Sequence, residues 1–368
     1  MRVTTVHDQK AHPIYDIVFS KNYGDLKEAL TTRGLIFENR RVCIVSETNV
    51  APLYIKEVSD IFSECGAFVT TFIFKAGESS KNLNTICQLY EHLIHSKFDR
   101  KDILVALGGG VVGDLTGFAA ATYLRGIDFI QLPTSLLSQV DSSIGGKTGV
   151  DFNAYKNMVG AFHQPKLVYI GLGTLMTLNE REYLSGMGEI IKHGLIKNKN
   201  YYEWLKNVSP KIMSRDLKTL EDMVYESCQI KREVVEKDPH EKGERALLNF
   251  GHTLGHAIEK LSDFSLLHGE CVSLGACGAA YISFKRGLLS ETDYKDICAA
   301  FQLFKLPSVL TASQKPIAAA DIVTTTKLDK KMEGGHIKFV LLDACGHAIL
   351  DKTVSDAELA CAAATLTS

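Results

Sequence analysis

The feature that most constrains this chain is a junction. Residues 103–107 (Ile-Leu-Val-Ala-Leu) form a short, wholly apolar run that feeds directly into Gly-Gly-Gly-Val-Val-Gly-Asp at 108–114, and residues 111–122 then carry a helical pattern. A buried strand, a glycine turn and a helix in that order belong to a mostly parallel sheet. The glycines also fit G-x-G-x-x-G, which lets a pyrophosphate approach backbone N–H groups at a helix N-terminus, where the dipole favours an anion. A tight turn with no ligand has the same letters, and it is the strand-then-helix setting that favours a dinucleotide. The acidic partner for a ribose is not where the simple fingerprint puts it. Glu47, closing an earlier strand-like run, is the better placed carboxylate.

Around this junction residues 14–19, 41–46, 68–74, 129–132 and 167–170 read as strands, and 50–65 and 81–96 as helices. From Asn179 the pattern is helical nearly to the end, with Glu182 placed three residues on as in a capping box. A long helix is expected over 217–235, broken by Lys237-Asp-Pro. At 368 residues there is room for two domains. We expect an α/β, Rossmann-like, NAD-binding domain over 1–176 and an all-α domain over 177–368 that binds metal and substrate. The formal charge of -2 argues against a nucleic-acid or membrane-surface partner. The longest apolar run, 271–284, is too short and too rich in Gly and Ala to span a bilayer, and residues 1–15 lack the apolar core of a secretory signal. Nine scattered cysteines without a CxxC pair read as reduced thiols of a cytoplasmic protein.

The chemistry concentrates between residues 249 and 270. His252 and His256 stand four apart in a helical stretch, so both leave one face about a turn apart, and His268 follows across a short break. Three imidazoles this close suggest a divalent metal, against the plainer possibility of helix histidines hydrogen-bonded to neighbours. Gly251, Gly255 and Gly269 beside them imply that something approaches the backbone closely. The apolar flanks Leu247-Leu248 and Ala257-Ile258 place the group inside the protein. Upstream, Glu189 and Lys192 share a helix face, and His193, four after Glu189, is an equally allowed ligand. The small-residue stretch 139–149 carries Asp141 and Lys147, with Lys156-Asn157 beyond it. Lysine is usually mere surface charge, yet these glycine-rich surroundings favour anion binding. Lys327, Lys330 and Lys331 read as a solvated face; Lys338, inside a strand-like run, is the exception.

Six stretches carry a resemblance: 77–81 (Gly-Glu-Ser-Ser-Lys), 108–114, 132–149, 156–162 (Lys-Asn-Met-Val-Gly-Ala-Phe), 189–192 (Glu-Ile-Ile-Lys) and 249–256. In order, and over nearly the whole chain, they resemble the 3-dehydroquinate synthase family of sugar phosphate cyclases. The resemblance implies conversion of 3-deoxy-D-arabino-heptulosonate 7-phosphate to 3-dehydroquinate and phosphate, a step of the shikimate pathway to aromatic amino acids. The route implied is transient oxidation by NAD+, β-elimination of phosphate, re-reduction, ring opening and internal aldol closure. It further implies a divalent metal, zinc or cobalt, an active site between the two domains, and a homodimer.

By position, the resemblance implies Glu189, His252 and His268 as metal ligands, which makes His256 a substrate contact and removes His193. It implies Lys147, Asn157, Lys192 and Lys338 as phosphate ligands, with Arg125 reaching in from the other subunit. Asp141, Lys147, Lys192, Lys237, Arg245, Asn249 and His256 are the implied catalytic and ring-binding residues. For NAD+ the matching positions are Glu47, Asn49, Glu78, Lys81, Gly109, Gly110, Asp114, Thr134, Ser135, Asp141, Lys147, Lys156 and Thr177. One departure stands out: Val-Asp-Phe-Asn-Ala-Tyr at 150–155 replaces something like Val-Asn-His-Pro-x-Gly, which we read as loop variation. The rival expectations are a sister cyclase such as an inosose or valiolone synthase, a metal-dependent polyol dehydrogenase, and a non-catalytic dinucleotide-binding protein.

Overall fold

A computed structural model describes residues 1–153, 155–241, 243–263, 265–311, 316–332 and 339–367, with the backbone alone for 328–332. The chain divides into two compact units, Met1–Leu178 and Asn179–Ser368.

The first unit runs β1 (Arg2–His7), β2 (Pro13–Ser20), α1 (Leu26–Thr32), β3 (Arg41–Glu47), α2 (Ala51–Glu64), β4 (Phe68–Phe74), α3 (Leu83–His95), β5 (Ile103–Gly108), α4 (Gly110–Thr122), β6 (Asp128–Pro133), β7 (Lys147–Phe152), β8 (Tyr155–Phe162) and β9 (Leu167–Gly171). Seven strands form one sheet in the order β1-β2-β9-β6-β5-β3-β4. Every pairing is parallel except β1 with β2. All six residues of β5 are buried because helices cover both sides of the sheet. Ile103, Val105 and Leu107 join Leu30, Val58 and Phe62 in one core, while Leu104 and Ala106 join Leu89, Leu93 and Leu115 in another. After β4 the chain crosses back to the other side of β3 to make β5. Ligands of open parallel sheets sit at such a reversal, beside the carboxyl ends of the strands. Glu47 closes β3 there and Gly108 closes β5.

Two parts of this unit differ from expectation. Residues 2–7 form an edge strand, where alternating polar letters gave no apolar signal. The stretch around Gly149 is no open loop: β7 and β8 make an antiparallel hairpin with Gly149 opposite Gly160. A β-carbon on Gly160 would stand 2.3 Å from the Thr148 carbonyl oxygen, so these glycines serve strand pairing. The segment that departs from the family pattern is the hairpin tip, with Asp151 Oδ1 accepting the Asn157 N–H at 2.8 Å.

The second unit runs α5 (Glu180–Lys197), α6 (Lys199–Asn207), α7 (Ser209–Met213), α8 (Leu217–Lys237), α9 (His252–Leu261), α10 (His268–Lys285), α11 (Glu291–Leu303), α12 (Ala319–Met332), β10 (Phe339–Ala344), β11 (His347–Asp351) and α13 (Asp356–Leu366). It is helical but not all-α, since β10 and β11 form an antiparallel ribbon. The apolar run at 271–284 is the buried core of α10, which packs on α5, α9, α11 and α13. Asn179 caps α5 by accepting the Glu182 N–H at 2.9 Å. Among the described residues no helix is long and apolar enough to cross a membrane.

Candidate functional site

In the second unit three helices bring one carboxylate and three imidazoles together. Glu189 comes from the middle of α5, His252 and His256 from α9, and His268 from the first turn of α10. His268 Nε2 lies 3.2 Å and His252 Nε2 3.5 Å from the same oxygen, Glu189 Oε1. The other oxygen, Glu189 Oε2, meets the ammonium of Lys192, one helical turn further along α5. Both partners of that ion pair are buried.

The chemistry of this donor set calls for a cation. His252 Nδ1 lies 3.2 Å from the Phe250 carbonyl oxygen, which can only accept, so Nδ1 carries the hydrogen. Burial first, then the Lys192 charge, hold the His252 imidazole well below its usual pKa, despite the pull of Glu189. Its Nε2 is therefore a lone pair, and it faces a carboxylate oxygen. Burial opposes the charge on Glu189 as well, yet Lys192 and the hydrogen bond from His268 hold that carboxyl well below the ordinary range. A neutral imidazole aimed at an ionised carboxylate leaves two acceptors facing each other, a geometry that a divalent ion between them resolves. The ligand atoms of Glu189, His252 and His268 all lie within 4.8 Å of one another, so the set fits such an ion.

The remaining histidines separate. His193, four after Glu189, is buried and turned to Ser227 on α8, with 2.7 Å from Nδ1 to Oγ. His256 is exposed, its ring centroid 5.1 Å from that of His252 and 6.1 Å from that of His268. His256, Glu259 and His268 form a second group of converging donors. The apolar flanks therefore bury one side of α9 and leave His256 outside, a correction to the expectation that the whole group is internal.

The glycines mark a close approach to the backbone, as expected, and what approaches is a helix. A β-carbon on Gly275 would stand 1.8 Å from the Gly251 carbonyl oxygen, and one on Gly255 would stand 2.8 Å from that of Cys271. What approaches the backbone at Gly251 and Gly255 is α10 itself. Gly251, at φ +80, also turns the chain into α9.

Between α8 and α9 lies a further group. Arg245 is buried and donates from Nη1 to the Pro239 carbonyl oxygen at 2.6 Å. Asn249 donates from Nδ2 to Glu241 Oε1 at 2.8 Å, and Lys237 Nζ lies 3.5 Å from Glu244. Lys338 lies outside the described residues.

In the first unit the glycine junction forms as the spacing requires. Gly109 caps α4 without a side chain, leaving the first amides of a 13-residue helix aimed past the end of β5. A β-carbon on Gly110 would stand 2.9 Å from Ser142 Oγ, and one on Gly109 would stand 3.4 Å from Ser135 Oγ. Gly113 and Gly117 instead face Gln131 and Thr148, so they serve packing. Thr134 donates its N–H to the Gly108 carbonyl oxygen at 2.9 Å, placing Thr134 and Ser135 beside the turn. Asp141 sits in a π-helical turn, Ser138–Ser142, a distortion often found at functional sites.

Lys81 is buried, with Nζ 2.6 Å from Asp114 Oδ2 and donating to Asn157 Oδ1. Burial pushes the Asp114 carboxyl up despite Lys81, while Asp114 holds the Lys81 ammonium up against its own burial. Asn157, expected at phosphate, thus meets Lys81 in this unit. Lys156 Nζ is 3.7 Å from Glu78 Oε1, and Lys147 is exposed at the start of β7. Glu47 accepts the N–H groups of Asn49 and Val50 at 2.7 and 3.1 Å, tying its carboxylate to the turn before α2. Thr177 hydrogen-bonds Tyr54 through its hydroxyl. Arg125 is exposed, at φ +72, directly after Leu124 at φ 50.

Sequence reasoning missed Arg181 and Ser185. Arg181 grips Glu270 with two hydrogen bonds of 2.8 Å, and Ser185 Oγ accepts the Gly269 N–H at 3.0 Å. Their spacing from Glu189, eight residues for Arg181 and four for Ser185, was the available signal.

Comparison with known proteins also divides the chain in two, with the boundary inside α5. Residues 71–185 match the family model for the N-terminal part of 3-dehydroquinate synthase, and residues 186–332 match that for its C-terminal part. The 3-dehydroquinate synthase of Acetivibrio thermocellus is 42% identical over 95% of this chain and 94% of that protein. That of Hydrogenovibrio crunogenus is 48% identical over 84% of this chain and 85% of its own. Among solved structures, a 2-epi-5-epi-valiolone synthase from Streptomyces hygroscopicus with NAD+ and Zn2+ bound superposes with a TM-score of 0.86, 26% identity and 96% of each chain covered.

Proposed function

The chain belongs to the 3-dehydroquinate synthase family, and we propose that it converts 3-deoxy-D-arabino-heptulosonate 7-phosphate to 3-dehydroquinate and phosphate. The observation that carries this within the structure is the convergence of Glu189, His252 and His268 in a chain so similar to named synthases. The chemistry that NAD+ and a divalent metal, zinc or cobalt, supply when bound is reversible hydride acceptance and polarisation of a substrate oxygen. The NAD+ and Zn2+ of the valiolone synthase support the same pair here.

In this proposal Glu189, His252 and His268 hold the metal. Lys192 keeps Glu189 ionised and, with Lys147, Asn157, Lys338 and the partner copy's Arg125, binds the phosphate through charge-assisted hydrogen bonds. Asp141, Lys237, Arg245, Asn249 and His256 orient the ring carboxylate and hydroxyls. The α4 N-terminus at Gly109 and Gly110 takes the pyrophosphate. Glu47, Asn49, Glu78, Lys81, Asp114, Thr134, Ser135, Lys156 and Thr177 take the rest of the dinucleotide, with Asp141 and Lys147 completing that set. A homodimer is part of the same proposal, with Arg125, on the exposed Leu124–Arg125 turn, serving the site of the partner copy. A cytoplasmic location is supported by nine cysteines that are all free.

The test is one incubation of the protein with NAD+, Zn2+ and the heptulosonate phosphate, following phosphate release and product identity together. Stoichiometric phosphate and dehydroquinate, lost on chelation and without net NADH, is the expected outcome. Inactivity with this substrate points to a sister cyclase, since the valiolone synthase shares this fold. NADH accumulating from a simple polyol points to a dehydrogenase.

A further inference from the structure

Arg181, Ser185 and Glu189 follow one another on α5 at intervals of four, so their side chains leave one face of the helix about a turn apart. All three meet the first turn of α10. Arg181 donates from Nε and Nη2 to the two oxygens of Glu270, each at 2.8 Å, and from Nη2 to the Ser265 carbonyl oxygen at 2.8 Å. Glu270 Oε2 in turn accepts the Leu267 N–H at 2.8 Å. Ser185 Oγ takes the Gly269 N–H, and Glu189 Oε1 meets the His268 ring.

His268 therefore sits between two captured amides. The N–H before it is bound by a carboxylate that Arg181 holds, and the N–H after it is bound by a hydroxyl of α5. Together these fix the backbone from which the imidazole reaches Glu189.

We infer that Arg181 is a positioning residue: acting through Glu270, it sets the reach of His268 toward Glu189 and so the affinity of the second unit for a divalent cation. The inference rests on the metal site proposed above. Arg181 is 55% exposed and Glu270 15%, and an ion pair this open adds little to folding stability. Its two-pronged geometry fixes orientation instead. Groups that orient metal ligands without touching the ion typically matter by about 10–100-fold in affinity.

The test uses the full chain stripped of metal. Zn2+ affinity is measured by competition with a chromophoric chelator, and Co2+ binding by visible absorption. Wild type, Arg181→Ala, Arg181→Lys and His268→Ala are compared, with thermal unfolding of each metal-free protein. Arg181→Ala is expected to bind Zn2+ about 10–100-fold more weakly and to alter the Co2+ band, while metal-free unfolding stays where it was. Arg181→Lys, which keeps the charge and loses the fork, falls between. Wild-type affinity and spectrum in Arg181→Ala overturn the inference, including when only the unfolding temperature falls. Should Arg181→Ala misfold, wild-type affinity in Arg181→Lys overturns it equally. If His268→Ala binds Zn2+ like wild type, the metal site itself is wrong; if His268→Ala loses the metal and the Arg181 variants do not, only the positioning role is wrong.

Discussion

The β-carbon that Gly269 lacks would stand 1.7 Å from the carbonyl oxygen of Ser185. Helices α5 and α10 thus touch backbone to backbone, and Gly188 repeats the contact, its missing β-carbon 2.6 Å from the Gly269 carbonyl oxygen. This approach is close enough for Glu189 and His268, one residue along from each glycine, to meet at 3.2 Å. Gly269→Ala has to push the helices apart. We expect a loss of about 2 kcal/mol or more in urea unfolding, together with weaker Zn2+ binding. An alanine variant with unchanged stability and metal affinity would show that the helices do not need this contact.

His268→Ala removes one donor of the Glu189, His252, His268 set and leaves the first unit untouched. Turnover is expected to vanish while NAD+ binding, read by fluorescence or calorimetry, survives. A variant that keeps most of its activity without added metal would contradict the assignment of His268.

Much of the architecture was legible in the sequence because buried parallel strands are written as unbroken apolar runs, as at residues 103–107. What escaped was written differently. Residues 2–7 pair at a sheet edge with polar side chains, and the hairpin of β7 and β8 is built from glycines and hydroxyl residues that resemble a loop. Around the candidate metal site the letters alone gave a surplus: His193 and His256 both stand at ligand spacing, and the packing of α5 against α8 turns one toward Ser227 while α9 leaves the other exposed. Arg181 was overlooked for a related reason: its helical spacing from Glu189 was a signal, but a charged residue on a helix ordinarily faces solvent.

In the first unit Lys81 is 4% exposed and holds Asp114 at 2.6 Å. Lys81→Met leaves that part-buried carboxylate without its counter-charge, and burial already pushes it toward protonation. The cost is expected to be about 3 kcal/mol in chemical unfolding. Lys81→Met with Asp114→Asn is expected to recover most of the stability but not NAD+ affinity. Full recovery of both would assign the pair to packing alone.

The acid limb of the stability curve has an identifiable contributor in the second unit. Glu358 takes a fork of hydrogen bonds from Arg286, which despite some burial holds its carboxyl at about 2, well below the ordinary 4.5. Because the folded value is the lower one, the unfolded chain binds the proton more tightly. The stabilisation is present above pH 4.5 and fades as the pH falls toward 2. Arg286→Met is expected to flatten this limb in pH-dependent thermal unfolding while lowering stability near neutrality. An unchanged slope would place the acid sensitivity elsewhere.

Arg125 and Lys192 offer a test of the proposed shared site. Arg125 stands on an exposed turn of the first unit at φ +72, and Lys192 is buried on α5 beside Glu189. If the arginine serves the partner copy, Arg125→Ala and Lys192→Ala are each inactive alone. Mixed after subunit exchange, half of the dimers are hybrids, and each hybrid carries one site with both residues intact. Recovery of roughly a quarter of wild-type activity is then expected from a two-fold dimer. Exchange demonstrated by mass, with no recovery, would mean that each copy supplies its own arginine or that the residue acts elsewhere.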